Sequence, residues 1–101
     1  AQIHLGHGAV IGENCTLAAQ AGISGKTIVG DNCVIYGQAG IAQNLNIGNN
    51  SIIGAKAGVA KDLEGGKTYF GLPARDMREF YKEYISLKKL PEIITAWSKR
   101  K

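Results

Sequence analysis

The segments VIGENC at 10–15, IVGDNC at 28–33 and NIGNNS at 46–51 decide the fold, because they repeat one pattern with a period of 18. Inside each period an aliphatic residue recurs at every sixth position, without a break from Leu5 to Val59. The series is Leu5, Ile11, Leu17, Ile23, Val29, Ile35, Ile41, Ile47, Ile53 and Val59. Three six-residue units per period predict three short strands joined by three corners, which together form one triangular coil.

Each position of the six-residue unit has a physical role in such a coil. The aliphatic residue points inward and stacks on its equivalent one coil away, at the parallel-strand spacing of about 4.8 Å. Four positions later a mostly small residue fills the narrow part of the interior, in a series that runs from Ala9 to Leu63. Corners need residues that tolerate positive φ. The sequence offers Gly8, Asn14, Asn32, Asn44 and the pair Asn49-Asn50 for this purpose.

The repeat therefore predicts an all-β solenoid, namely a left-handed parallel β-helix of hexapeptide repeats. Its handedness is taken from the known architecture of such prisms. Residues 1–63 form about three and a half coils. Residues 64–75 form a link, because Glu64-Gly65-Gly66 is typical of a turn and Gly71-Leu72-Pro73 of an extended segment.

Residues 76–101 are expected to form a helical extension. Asp76 is the expected cap of its first helix, with Glu79 three positions further on. Pro91 is expected to open a second short helix, because proline is favoured at the first helical position. Both helices present aromatic side chains, which predicts packing between copies of this chain around a three-fold axis.

Composition and charge limit the possible partners. The 101 residues suffice for one domain, and with 45% hydrophobic and 20% charged residues the chain is globular. No apolar run reaches the length of a membrane span. The net charge of +4 lies in residues 64–101, where nine Lys and Arg meet five Asp and Glu. We expect no nucleic-acid partner, because these cations are interspersed with acidic residues; a solvated helix face stays open as the alternative.

The two cysteines and two histidines are the remaining reactive side chains. Cys15 and Cys33 are one full period apart, so we interpret them as stacked, buried thiols with neither metal-ligand spacing nor a disulfide. His7 lies at a corner and is the natural candidate for a general base. His4 lies on an outward strand position whose column continues as three glycines. From position alone, either histidine could instead be solvated or packed against another subunit.

Four segments carry a resemblance to a known family. They are QIHLGHGAVIGENCTLAAQAGISGKTIVGDNCVIYGQAGIAQNLNIG at 2–48, AGVAKDLEGG at 57–66, FGLPARDMREFYK at 70–82 and LKKLPEI at 87–93. Together they resemble the C-terminal part of UDP-3-O-acylglucosamine N-acyltransferase, an enzyme of lipid A biosynthesis. The resemblance implies transfer of a 3-hydroxyacyl chain from acyl carrier protein to the 2-amino group of a UDP-3-O-acylglucosamine. We interpret the chain, which begins at Ala1, as the C-terminal catalytic fragment.

The resemblance also implies roles for individual residues. His7 matches the general base, and Gly25 matches the glycine whose backbone N–H stabilises the oxyanion. His4, Gln43 and Asn44 are predicted to bind substrate, with Asn44 standing where the family has a second histidine. A carrier-protein surface is predicted on the basic extension, at Arg75, Arg78, Lys82, Lys88 and Lys89.

The same resemblance implies a homotrimer in the cytoplasm that needs no metal or organic cofactor, because the phosphopantetheine arm arrives on the donor protein. Three alternatives stay open. The chain could be a trimeric scaffold fragment without catalysis, or another hexapeptide acyltransferase. A zinc-dependent carbonic anhydrase of β-helix fold would need three histidines at the metal, whereas only two are present.

Overall fold

A computed structural model describes residues 2–100 as a parallel β-helix of about four turns, followed by one long helix. Every strand of the coils is short, because each side of the prism is only a few residues wide. The strands are β1 His4–Leu5, β2 Val10–Ile11, β3 Thr16–Leu17, β4 Gly22–Ile23, β5 Ile28–Val29, β6 Val34–Ile35, β7 Gly40–Ile41, β8 Asn46–Ile47, β9 Ile52–Ile53, β10 Gly58–Val59, β11 Thr68–Phe70 and β12 Arg75–Asp76. The helix is α1, Met77–Lys99. The predicted left-handed β-helix with a helical extension is thus confirmed.

Three parallel sheets form the sides of the prism, and their register follows the predicted period. The first sheet has the order β1-β4-β7-β10 and pairs Leu5 with Ile23 and Ile23 with Ile41. The second has the order β2-β5-β8, and the third β12-β11-β9-β6-β3. The inward residues become fully buried once a coil lies on both sides, since exposure falls from 50% at Leu5 to 0% at Ile23.

The corners carry one residue of positive φ at every sixth position, from Gly8 to Lys56. The predicted Gly8, Asn14, Asn32, Asn44 and Asn50 are confirmed, whereas Asn49 does not have positive φ. Four corner residues were not predicted, because they are neither Gly nor Asn: Gln20, Lys26, Gln38 and Lys56. A non-glycine residue in this region costs about 1–2 kcal/mol. Each coil offsets that cost with backbone hydrogen bonds to its neighbour, as between the Gln38 N–H and the Ala19 carbonyl at 3.1 Å.

The last coil is shorter than the others. Leu63 pairs with Ile47 and Tyr69 with Ile53, so in both pairs the partners are two positions closer along the chain than the period requires. Leu63 therefore occupies the aliphatic column, which corrects its expected place in the column of small residues. The parallel ladder also continues past residue 63, through β11, before β12 folds back antiparallel to it.

The extension is one helix, which corrects the expectation of two. Asp76 caps it as expected, and its carboxylate accepts a hydrogen bond of 2.8 Å from the Arg78 N–H. Pro91 lies inside the helix and does not end it. A proline in a helix interior costs about 3 kcal/mol through its missing donor and its ring, so local preference does not explain the uninterrupted helix. None of residues 77–99 is buried.

The first turns of α1 attach to the coils through aromatic rings. The Phe70 ring lies over Gly54, at the position that a side chain on Gly54 would fill. Phe80 and Tyr81 meet the Phe70 ring edge-on, with centroids 5.8 and 5.9 Å away. The absence of a side chain at Gly54 thus makes room for the contact that joins helix to prism.

Candidate functional site

One edge of the prism brings together the residues predicted to act chemically. We call it the site corner; it consists of residues 7–8, 25–26 and 43–44 on three successive coils. The Lys26 N–H donates to the His7 carbonyl at 3.0 Å, and the Asn44 N–H to the Gly25 carbonyl at 3.1 Å. These bonds hold His7, Gly25 and Gln43 in a single column along the prism. The predicted stacking of His7 and Gly25, one coil apart, is confirmed.

His7 presents an exposed side chain at this edge. Its backbone is fixed by the bond from Lys26. Within residues 2–100 the imidazole makes no hydrogen bond, so neither ring nitrogen is engaged by another part of the chain. A histidine with that exposure can accept a proton from a bound nucleophile.

Gly25 combines close packing with an available donor. A Cβ added at Gly25 would lie 2.8 Å from the His7 carbonyl oxygen, which is shorter than real side chains tolerate. A Cβ added at Gly6 would overlap the Gly25 amide nitrogen. No acceptor among residues 2–100 pairs with the Gly25 N–H. An unpaired backbone donor next to a histidine is a suitable arrangement for stabilising a developing oxyanion.

The three residues predicted to bind substrate lie at different distances from His7 and Gly25. His4 is exposed on β1, in the sheet that leads to the site corner. Gln43 lies one coil beyond Gly25, and Asn44 follows it with φ 59°. Two coils separate these residues from His7, which corresponds to about 10 Å. The structure therefore brings His7 and Gly25 together and places Gln43 and Asn44 further along the same edge.

The glycine column beside His4 is open at two positions and filled at a third. A Cβ added at Gly22 or Gly40 would meet nothing within 4 Å. At Gly58 the same space is occupied by the side chain of Leu72, from the segment between β11 and β12. Sequence reasoning identified the column but missed Leu72, because no spacing rule indicates where that segment returns to the prism.

Of the five cations predicted to bind a carrier protein, two lie against aromatic rings of the chain. Arg75 is engaged, because its guanidinium pairs with Glu83 and lies 5.1 Å from the centre of the Phe80 ring. Lys88 lies 5.2 Å from the centre of the Tyr84 ring. Arg78, Lys82 and Lys89 are exposed, and at about 100° per residue their spacing along the chain places them on one face of α1.

Cys33 is buried as predicted, whereas Cys15, in the first coil, is only half-buried and so corrects the expectation of two buried thiols. Both cysteines are free, and Cys33 is fully buried. The Cys33 thiol donates to the Gly48 carbonyl at 3.3 Å, and burial raises its pKa. A buried, protonated thiol is a poor nucleophile. Within the described residues, no three His, Cys, Asp or Glu side chains converge in a way that could hold a metal ion.

No protein-family model and no curated protein matches the chain. Solved structures do resemble it. PerB from Caulobacter crescentus, in complex with CoA and GDP-perosamine, is 28% identical over 69% of this chain and 34% of its own, with a TM-score of 0.67. A variant of perosamine N-acetyltransferase from the same organism, with the same two ligands, is 23% identical over 73% of this chain and 50% of its own, with a TM-score of 0.63.

Serine acetyltransferase from Neisseria gonorrhoeae shares the fold at lower similarity. It is 23% identical over 68% of this chain and 38% of its own, with a TM-score of 0.53. The chain thus spans between about a third and a half of the length of these three proteins. Two of the three are acetyltransferases by name, and PerB was solved with the same two ligands as one of them. Among residues 2–100 no helix is long and apolar enough to cross a membrane.

Proposed function

We propose that this chain is the catalytic part of an N-acyltransferase that moves a 3-hydroxyacyl chain from acyl carrier protein to the 2-amino group of a UDP-3-O-acylglucosamine. The observation that carries the proposal is the stack of an exposed histidine, His7, on a glycine whose N–H is unpaired within residues 2–100, Gly25. The likeness to PerB supports acyl transfer to a nucleotide sugar in general. The particular sugar and the carrier protein are inferred from the sequence segments quoted above.

The chemistry follows from the two groups. His7 accepts a proton from the sugar amine as the amine nitrogen attacks the thioester carbonyl. The negative charge that develops on the carbonyl oxygen is stabilised by the Gly25 N–H. The tetrahedral intermediate then collapses, the carbon–sulfur bond breaks, and the protonated His7 returns the proton to the leaving thiolate. The products are an amide and a free thiol, and His7 is restored.

The proposal includes a homotrimer in the cytoplasm. Large apolar side chains are exposed along α1, for example Leu87 at 65% and Ile93 at 57%, and association of copies of the chain would cover them. Two free thiols are typical of a reducing compartment. The exposed cations Arg78, Lys82 and Lys89 supply a basic face for an acidic carrier protein.

A second candidate function is acetyl transfer from CoA to an amino sugar nucleotide. It is favoured by one observation, the 28% identity to PerB, which was solved with CoA and GDP-perosamine. The two candidates share the acceptor chemistry and differ in the donor. A carrier-protein donor should bind less well as salt rises, because attraction between exposed charges is screened.

The test is acyl transfer to UDP-3-O-acylglucosamine from 3-hydroxyacyl-carrier protein and, in parallel, from acetyl-CoA. We expect turnover with the carrier donor, and we expect His7→Ala to lower kcat by about 10²- to 10⁴-fold. His4→Ala is the matched variant, since it removes the other exposed histidine from the same coil and should act mainly on KM. Turnover with acetyl-CoA alone would favour the second candidate. Full kcat in a folded His7→Ala variant would exclude His7 as the base in either one.

A further inference from the structure

At a second edge of the prism, side chains accept hydrogen bonds from backbone N–H groups that correspond to the unpaired N–H of Gly25. This capped corner consists of residues 13–14, 31–32 and 49–50. The Glu13 N–H donates to Asp31 Oδ1 at 2.8 Å, and the Asp31 N–H donates to Asn49 Oδ1 at 2.8 Å. An Asp or Asn on one coil thus caps the corner amide of the coil before it. The two corners share a positive φ at the second corner residue.

The cap needs empty space in the coil below. A Cβ added at Gly12 would overlap Asp31 Oδ1, and a Cβ added at Gly30 would overlap Asn49 Oδ1. The capping oxygen therefore occupies the space that would be needed by a side chain on the residue that precedes the capped amide in sequence. Two features define a cap: a glycine directly before the capped amide, and an Asp or Asn one coil after the capped residue.

The site corner lacks both requirements at Gly25. The residue before Gly25 is Ser24, and by analogy with the positions of Gly12 and Gly30 its Cβ would fill the space of a capping oxygen. The residue in the capping position is Gln43, whose amide is one methylene further from the backbone than that of Asn49. Among residues 2–100 neither Gln43 nor any other residue accepts a hydrogen bond from the Gly25 N–H. The third corner follows the same rule, because Ala19, Gly37 and Ala55 carry no side-chain acceptor and form no cap.

We propose that Ser24 and Gln43 are positioning residues, which keep the Gly25 N–H uncapped and available to the oxyanion. The inference rests on the proposed function, in which that N–H stabilises the reacting carbonyl. Ser24 acts by filling the space of the cap, and Gln43 acts by being too long to form one. Neither needs to touch the reacting atoms.

The test is to rebuild the capped corner around Gly25 with the double variant Ser24→Gly, Gln43→Asn in the full chain. NMR solvent exchange of the Gly25 amide should slow by about fivefold, the effect of one net hydrogen bond. With the donor and acceptor that the unaltered chain turns over, kcat should fall by about 100-fold, as on loss of one oxyanion donor. The matched control is Ser24→Gly, Gln43→Ala, which removes the same two side chains without supplying an oxygen. It should keep fast Gly25 exchange and a far higher kcat than the Asn variant, while loss of the predicted substrate contact of Gln43 should raise KM in both variants.

A reciprocal change at the capped corner keeps the inference falsifiable if the double variant does not fold. Asn49→Gln should uncap the Asp31 amide and speed its exchange by about fivefold. Unchanged Asp31 exchange in that variant, or unchanged Gly25 exchange in a folded Asn double variant, would overturn the inference.

Two further outcomes separate this inference from the proposed function. Slowed Gly25 exchange with unchanged kcat would overturn the positioning role together with the oxyanion role of Gly25, while His7→Ala decides the base independently. If the unaltered chain transferred no acyl group, the proposed function would fail and the positioning role with it. In that case the exchange data would still show whether Ser24 and Gln43 keep the amide uncapped.

Discussion

The coils bury their inward apolar side chains, whereas helix α1 leaves its apolar side chains exposed. In the coils, the inward side chains Ile23, Ile35 and Ile53 are 0% exposed. In α1, which has 23 residues, none is buried, and Leu87 is 65% exposed. The coils therefore hold their core within one chain, whereas α1 depends on its cap, its first aromatic contacts and whatever covers its apolar face. This difference in burial predicts which substitutions will lower the free energy of unfolding most.

The largest difference should come from matched truncations in the two regions. Ile35→Ala removes a fully buried side chain that stacks between Leu17 and Ile53, so the free energy of unfolding should fall by about 2–5 kcal/mol. Leu87→Ala removes an exposed side chain of similar size and should change it by less than about 0.5 kcal/mol in the monomer. Urea denaturation of both variants measures the contrast.

The control for this contrast is protein concentration. A large effect of Leu87→Ala that grows with concentration would show that α1 is buried between chains, as the proposed homotrimer requires. An effect of Ile35→Ala as small as that of Leu87→Ala would contradict the location of the core in the coils.

A smaller effect should be confined to the start of α1. The Asp76 carboxylate accepts from the Arg78 N–H at 2.8 Å, and loss of such a cap costs about 1 kcal/mol. Asp76→Ala should therefore speed hydrogen exchange in the first helical turn and leave the amides of β4 and β7 protected. Asp76→Asn is the matched control, because asparagine is an equally good cap. Equal exchange in the Ala and Asn variants would mean that the aromatic contacts alone hold the first turn.

The coils could be predicted from the sequence because each position of the six-residue repeat has a fixed structural role. The series through Ile23 and Ile41 determined the register, and with it the stacking of His7 and Gly25. The corners at Gln20 and Lys26 could not be recognised, because their unusual φ is stabilised by hydrogen bonds between coils and not by residue type.

The departures from the repeat depend on contacts that sequence spacing does not contain. The shortened last coil moves Leu63 into the aliphatic column, and Leu72 returns to fill the space at Gly58. Pro91 was expected to separate two helices, but α1 continues through it, which no local preference of the sequence indicates. At the site, the period placed His7 beside Gly25. The period does not determine whether the Gly25 N–H is paired, because that depends on side-chain contacts between neighbouring coils.

The smallest expected effect is an alkaline loss of stability that originates in the coils. Burial raises the pKa of the Cys33 thiol above its ordinary value of 9.0, and burial likewise raises the pKa of Tyr69 above 10.0. In the unfolded chain each group loses its proton first, so above those values the unfolded state binds fewer protons and the free energy of unfolding falls as pH rises. The stability that these groups contribute is complete below about pH 9 and is lost as pH rises through their pKa values in the folded protein.

Cys33→Ser, which fits a column that already holds Ser51, should flatten the decline that begins near pH 9, and Tyr69→Phe should flatten only the part above pH 10. Urea denaturation from pH 7 to 11 measures both slopes, and a decline that neither substitution alters would place its origin outside the coil interior.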